Sequence, residues 1–136
     1  MSHLQYKAYA GWGETAAKSH NMSQIVRVPA GDIVKMSGQG GWNPSDGEMV
    51  ADLGGEWAKA FDNVQHALQD IGAKGWDSIY KLTVYYTSEN ELAMKYAEEN
   101  MWRCFPNHKP VVTMVMVKDL ALPGMHVEVD AEAVIQ

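Results

Sequence analysis

Apolar residues recur at steps of three and four between positions 50 and 71, the clearest periodicity in the chain. The members of this stripe are Val50, Leu53, Trp57, Phe61, Val64, Leu68 and Ile71. This spacing places them on one side of an α-helix, so we expect an amphipathic helix packed on a core. Gly72 follows the stripe, where a left-handed glycine commonly ends a helix.

A second helix is predicted between Ser88 and Cys104. Ser88 and Glu91 have the S-x-x-E spacing of a capping box, which satisfies free amides at the start of a helix. Phe105 and Pro106 end this helix, because proline cannot continue it. Its expected apolar side consists of Leu92, Tyr96, Ala97, Met101 and Cys104.

Three further segments have the composition of β-strands. Residues 24–28 and 32–37 are two short candidates separated by a Pro-Ala-Gly turn. Residues 111–117, VVTMVMV, are nearly all apolar. Such a run is typical of a central strand that is covered on both faces.

Two more strands are predicted from alternation. Residues 76–87 have one expected inward face, which consists of Tyr80, Leu82, Val84 and Tyr86. Residues 127–133 are apolar at every second position. Their expected polar face consists of His126, Glu128, Asp130 and Glu132. Side chains alternate across a strand, so one face of each strand belongs to the core.

The predicted order, β-β-α-β-α-β-β, indicates an α+β fold with a single domain over residues 1–136. Two helices then cover one face of the sheet and leave the other face for a second layer. Residues 1–23 lack periodicity, and we expect an N-terminal arm and loop there. Residues 38–48 are dense in Gly, Asn, Pro, Ser and Asp, which predicts a loop whose backbone comes close to another group.

Composition narrows the function classes. The net charge of −6 and the absence of a Lys/Arg cluster argue against nucleic acid and against an anionic membrane surface as partners. A lone cysteine, Cys104, excludes an intrachain disulfide. We see no signal peptide and no apolar run of membrane-spanning length, so we expect a soluble, cytoplasmic protein. His20, His108 and His126 are not spaced as a metal site.

Several motifs in order resemble the YjgF/RidA (Rid) family. SGQGG, residues 37–41, is similar to that family's S-G-Q loop, and residues 60–73, AFDNVQHALQDIGA, resemble its long helix. Residues 82–87 look like its third strand, and residues 120–134 resemble its closing L-P…V-E-h-E-A-h-A signature. The resemblance runs from about residue 22 to residue 134.

Membership implies a chorismate-mutase-like fold and a homotrimer with small-molecule clefts between subunits. Active members of the family hydrolyse reactive enamines and imines to ketoacids and ammonia, without a metal or a cofactor of their own. The resemblance also implies that the S-G-Q loop, with Ser37 and Gly38, and the strand containing Thr113 line the cleft.

One departure from the family concerns charge. The arginine that holds the substrate carboxylate in Rid deaminases falls on Val112, in the stretch Pro110–Thr113. A valine cannot pair with a carboxylate. Lys109 lies three residues before Val112; it is either a solvated loop lysine or a point charge near the cleft.

Glu128 aligns with a family glutamate thought to position the hydrolytic water. Either it is this general acid/base, for which it needs a raised pKa, or it is a structural acid on the polar face. His126, two residues away, is either a partner of Glu128 or an ordinary surface histidine.

The remaining positions of the expected cleft have become apolar or aromatic. Met22 stands where the family often has Tyr or Phe, Met114 replaces a frequent cysteine, and Tyr96 replaces an asparagine near the ligand. Such a lining suits an apolar or aromatic ligand, although simple repacking of a vestigial cleft would look the same.

Three functions are therefore open. The first is a RidA-like hydrolase or deaminase that acts on an enamine, imine or conjugated amino compound. The second is a non-catalytic trimer that binds a metabolite and has a regulatory role. The third is an endoribonuclease, an activity after which the family has been named. The net negative charge of the chain argues against it.

Overall fold

The computed structural model describes residues 4–135. These residues form seven strands and three α-helices. In chain order the elements are β1 (Gln5–Lys7), α1 (Trp12–His20), β2 (Ile25–Arg27), β3 (Asp32–Lys35), β4 (Gln39–Gly40), α2 (Leu53–Asp70), β5 (Ile79–Tyr86), α3 (Asn90–Cys104), β6 (Val111–Met116) and β7 (Val127–Ile135). One 3₁₀ turn, Trp76–Ser78, precedes β5.

The main sheet is mixed, with the strand order β3-β7-β5-β6. β7 is antiparallel to β3 and β5, and β4 extends the β3 edge by pairing with β7. β5 and β6 are parallel, with α3 as the connection that a parallel pair requires. β1 and β2 form a separate antiparallel pair.

The predicted helix over residues 50–71 is confirmed as α2, although the first and last residues of the apolar stripe lie outside the helix. Trp57, Phe61 and the following members up to Leu68 are at most 1% exposed in the core. The stripe's ends differ, because Val50 precedes the helix and Ile71 is 64% exposed. Gly72 ends α2 with φ +90°, as predicted.

The second predicted helix is confirmed as α3, but it begins later than the capping box requires. The chain stays extended at Glu89, so the hydroxyl of Ser88 is not the cap, and this hydroxyl is buried without a partner among residues 4–135. The Tyr86 hydroxyl instead donates to Asn90 Oδ1 over 2.8 Å at the first helical residue. Leu92 is 37% exposed, whereas the later apolar residues are buried.

The prediction of an irregular arm over residues 1–23 is wrong for the stretch Trp12–His20, which is helical; residues 1–3 lie outside the described part. This helix ends at Asn21, which has a left-handed φ of 54° and is 1% exposed. Its Nδ2 donates to the carbonyls of Met101 and Phe105 at 2.9 and 3.0 Å. Docking on the end of α3 therefore stabilises a nine-residue helix that sequence periodicity does not reveal.

The prediction that residues 111–117 form a central strand is wrong, because β6 lies at the edge of the main sheet. Val112 and Met114 pack against the core, while Val115 and Met116 are 36% and 54% exposed. Within a single chain, only some residues of this apolar run are buried in the core. The exposed ones form an apolar surface that a further partner could cover.

The alternation in β5 is interrupted by a bulge between Ile79 and Lys81. The bulge moves Tyr80 out of the predicted inward face, since its hydroxyl donates to Glu132 of the polar face over 2.7 Å. Ile79 takes the core position and is fully buried. From Leu82 onward the predicted faces are confirmed.

The helices α2 and α3 and the apolar residues of β5 and β7 share one core, so one face of the sheet is helix-covered, as predicted. The opposite face contains the acids of β7 and remains partly exposed. Across residues 4–135, no helix combines the length and apolar character needed to cross a bilayer.

Candidate functional site

The glycine-rich segment from Gly38 to Gly41 packs tightly against other parts of the chain, as predicted. A Cβ at Gly38 would overlap the Glu128 carboxylate, and one at Gly41 would overlap Glu56. None of the glycines 38, 40 and 41 has a positive φ. These glycines therefore provide close approach rather than an unusual backbone conformation.

Asn63 of α2 holds this segment in place. Its Nδ2 donates to the carbonyl oxygens of Gly40 at 2.8 Å and Trp42 at 2.7 Å, and the residue is 2% exposed. A buried amide must find such partners, because an unpaired one costs desolvation energy. Sequence analysis gave Asn63 no role; its signal is a polar residue on the buried side of an apolar helix.

Three acids of β7 lie on the uncovered face, and their surroundings differ. Glu132 accepts the Tyr80 hydroxyl. Burial raises the pKa of the Asp130 carboxyl, while the Lys81 ammonium and hydrogen bonds from Thr83 act in the opposite direction. Glu128 is half-buried beside Gly38, and among residues 4–135 no hydrogen bond or ion pair engages its carboxylate. Of the three, Glu128 is the acid free to act on a ligand.

Met22, Val112 and Met114 lie together in an apolar cavity of about 200 Å³ beneath β6. The other lining residues come from α1, α2, α3 and β5, and they are His20, Phe61, Val84, Met94, Ala97, Glu98 and Met101. The lining of this cavity is mostly apolar, as expected for the positions of Met22, Val112 and Met114.

Val112 and Glu128 face opposite sides of the main sheet. Val112 is in register with Leu82 and packs on the core side. Glu128 is in register with Tyr85, on the uncovered side. β5 separates β7 from β6, so a small molecule held against Val112 on the core side does not reach the Glu128 carboxylate. The two predicted site positions are therefore not brought together within one chain.

Thr113 is on the same side of the sheet as Glu128, not with Val112 and Met114. It is in register with Thr83 and lines an open cleft of about 450 Å³ at the edge of β6, which Met22 and Val112 also border. Ser37 is exposed, and its carbonyl accepts the Gln39 side chain at 3.0 Å.

His126 and Tyr96 lie against the first turns of α2. Of the two alternatives for His126, the pairing with Glu128 is not formed, and the side chain is 51% exposed. Its Nδ1 contacts Oε1 of Glu56 at 2.8 Å, and its backbone amide donates to Oε2 at 2.6 Å. His126 precedes β7, so the strand's alternation does not orient it. The Tyr96 ring packs on Trp57, with centroids 6.1 Å apart.

Lys109 does not extend freely into solvent or into the cavity. Its Nζ donates to Asn21 Oδ1 and lies 4.6 Å from the centroid of the Trp102 ring. Both contacts fix the junction between α1 and α3. Lys109 is therefore a structural cation here and is not available as a replacement for an arginine in the cavity.

The remaining chemical candidates are side chains that could bind a metal and the single thiol. Within the described range 4–135, no three His, Cys, Asp or Glu side chains are grouped as a metal site would require. The thiol of Cys104 is 1% exposed, and its burial raises the pKa to about 12. At neutral pH it is a protonated core residue rather than a nucleophile.

Comparison with known proteins identifies the family. Residues 14–135 match the family model described as Endoribonuclease L-PSP. A RutC family protein of Haemophilus influenzae is 32% identical over 116 residues, covering 81% of this chain and 85% of that protein. The chain belongs to this family, the YjgF/RidA proteins.

Solved structures are similar in fold. YyfB of Yersinia pestis, a Rid family protein of unknown function, matches with a TM-score of 0.86 at 20% identity, over 98% of this chain and 100% of that one. TdcF of E. coli, solved with bound serine, matches with a TM-score of 0.67 at 26% identity, over 80% of this chain and 85% of that one. The α+β fold is therefore of the YjgF/RidA type.

Proposed function

We propose that this protein is a small-molecule hydrolase of the deaminase type, with its sites in clefts between the chains of a homotrimer. Its substrates are enamines, imines or conjugated amino compounds with an apolar or aromatic side chain. The proposal rests mainly on one observation: Glu128 is a half-buried carboxylate beside the glycine loop and has no partner among residues 4–135.

The placement of the other site positions supports a shared cleft. Val112 and Met114 face the apolar cavity, whereas Glu128 faces the uncovered side of the sheet. A second chain packed along the exposed edge of β6 would supply its own Glu128 to the first chain's apolar residues. The exposed apolar residues of β6 are consistent with such a contact.

In the proposed reaction, an enamine first tautomerises to the imine. Glu128 accepts a proton from a water molecule while the water oxygen bonds to the imine carbon. The proton is then delivered to the nitrogen, which gives a carbinolamine. Glu128 next accepts the hydroxyl proton of this intermediate and passes it to the same nitrogen, so that the carbon–nitrogen bond breaks, the carbonyl forms and ammonia leaves. No oxidant or cofactor is needed, because hydrolysis changes no oxidation state.

A ligand cleft in this fold is supported by TdcF, which was solved with serine bound. The ligand of the present chain differs, because Val112 offers no charge for a carboxylate. RNA is not the favoured substrate, since the net charge is −6.

The test is ammonia release from imines generated in the assay. An amino-acid oxidase supplies imines with a carboxylate from small and aromatic amino acids, and a flavin-dependent amine oxidase, which releases the imine, supplies imines without one from benzylamine. Faster release with the protein than with the feeder enzyme alone supports the proposal. No acceleration with any member of either series would reject hydrolysis and leave the metabolite-binding trimer as the function.

A further inference from the structure

The apolar cavity beneath β6 has one polar feature. Of the residues that line it, only His20 and Glu98 are ionisable. Nδ1 of His20 and Oε1 of Glu98 are 2.7 Å apart, and their side chains are 26% and 38% exposed. The pair therefore lies where the cavity meets solvent, opposite a lining of methionine, alanine, valine and phenylalanine.

The Glu98 carboxylate accepts a hydrogen bond from Nδ1 of His20, so it offsets any positive charge that the imidazole contributes to the mouth of the cavity. Among residues 4–135, no hydrogen bond engages Oε2 of Glu98 or Nε2 of His20. A ligand group in the cavity mouth thus meets a free carboxylate oxygen, and no Lys or Arg is among the residues that line the cavity.

The cavity has room for a small ring. Its volume of about 200 Å³ exceeds the roughly 150 Å³ of an apolar cavity known to hold benzene. Trp12, 59% exposed, has its ring centroid 6.1 Å from that of His20. An exposed indole face beside the mouth is attractive to a cation.

We propose that His20 and Glu98 are specificity residues that select an apolar ligand carrying an ammonium, iminium or hydroxyl group and exclude one carrying a carboxylate. The selection of ligands by this pair does not depend on the proposed function. Only the reaction that follows binding rests on it. The selection implies that the substrates are imines of simple arylalkyl amines rather than of amino acids.

The test measures binding of three probes of matched size: benzylamine, benzyl alcohol and benzoate. We expect calorimetry to detect benzylamine and benzyl alcohol and to give at least about fivefold weaker binding of benzoate, as expected for a half-exposed acid. Equal affinity for benzoate and benzylamine, or no binding of any probe, would overturn the proposal.

Two variants locate the effect. Glu98→Gln should weaken benzylamine binding by about threefold to fivefold and leave benzyl alcohol nearly unchanged. Glu99→Gln is the matched control, because Glu99 is an exposed acid on the same helix that does not line the cavity. If both variants behave alike, Glu98 has no role in selection.

A third variant tests the selection in the opposite direction. Val112→Arg places a guanidinium at the cavity and should make benzoate the preferred probe; unchanged preference in a folded variant contradicts the proposal. Turnover is measured separately with the amine-oxidase feeder. If the probes bind as expected but no turnover is seen, the proposed hydrolysis is rejected and the selection by His20 and Glu98 is retained. If turnover is seen but benzoate binds more tightly than benzylamine, the hydrolysis is retained and the selection is rejected.

Discussion

Val112 and Glu128 lie on opposite faces of one sheet, Val112 in the row that contains Leu82 and Glu128 in the row that contains Tyr85. Both positions belong to the site that the family resemblance implies. A single chain cannot apply both to one ligand, so the resemblance and the geometry agree only if two chains contribute.

The first prediction concerns Glu128. Glu128→Gln keeps the size of the side chain but removes the base, so turnover should fall by about 10²–10⁴-fold. The proposed trimer, examined by sedimentation velocity, and the affinity for benzyl alcohol should be unchanged. Glu132→Gln is the control on the same face, because its amide oxygen can still accept the Tyr80 hydroxyl. Loss of assembly, or an equal loss of turnover in both variants, would make Glu128 structural.

The second prediction concerns the contact between Gly38 and Glu128. Gly38→Ala places a methyl group where the carboxylate lies. It should lower the free energy of unfolding by about 1–3 kcal/mol. In a Glu128→Ala background the same change should cost less than about 1 kcal/mol, because the space is free.

Urea unfolding at one fixed protein concentration measures this double-mutant cycle. If the effects of Gly38→Ala and Glu128→Ala on the free energy of unfolding are additive, the two residues are not in steric contact.

The third prediction concerns the amide that holds the glycine loop. Asn63→Ala leaves the carbonyls of Gly40 and Trp42 without their donor. The free energy of unfolding should fall by about 2–4 kcal/mol, and exchange of loop amides should accelerate. Asn107→Ala, the control at an exposed residue, should change the free energy of unfolding by less than about 0.5 kcal/mol. A similar, small effect of both substitutions would show that the loop does not depend on Asn63.

The fourth prediction concerns alkaline pH. The pKa of Cys104 is raised from 9.0 to about 12 by burial. The folded state therefore holds this proton more tightly than the unfolded state does, and the resulting stability is present below pH 9 and lost between pH 9 and 12.

The contribution of Cys104 to the slope is at most about 1.4 kcal/mol per pH unit. Cys104→Ala should be less stable at pH 7 and should lose less stability between pH 9 and 10 than the parent chain. Burial also raises the pKa of Tyr6 and, with Glu132, that of Tyr80 to about 12, so both chains should weaken further above pH 10. Parallel stability curves for the two chains between pH 9 and 10 would contradict the assignment.

Local patterns predicted what local forces decide. The stripe of α2 is visible because each turn repeats the same apolar face, and Gly72 ends it with the expected positive φ. The glycine loop was recognisable as a close approach. By contrast, α1 depends on Asn21 reaching carbonyls 80 and 84 positions away, a contact that no window of sequence contains. Apolar composition likewise could not separate an edge strand from a central one for β6.

The candidate site shows the same division. Glu128, Val112 and Met22 were identifiable by type and by resemblance to a family. Glu56 was not, because a buried glutamate in the first turn of a helix looks like an ordinary surface acid until His126 is placed against it. His20 was overlooked for the same reason, since its partner Glu98 is 78 positions away.

The sequence by itself determined the α+β class, the main helices, the strand faces from Leu82 onward and the family, because periodicity and motif order are written along the chain. Only the tertiary structure decided which side of the sheet each candidate site residue faces, which acid has no partner among residues 4–135, and which polar pair borders the apolar cavity. Those properties depend on strand register, on the bulge at Tyr80 and on contacts between distant segments, which the linear order does not specify.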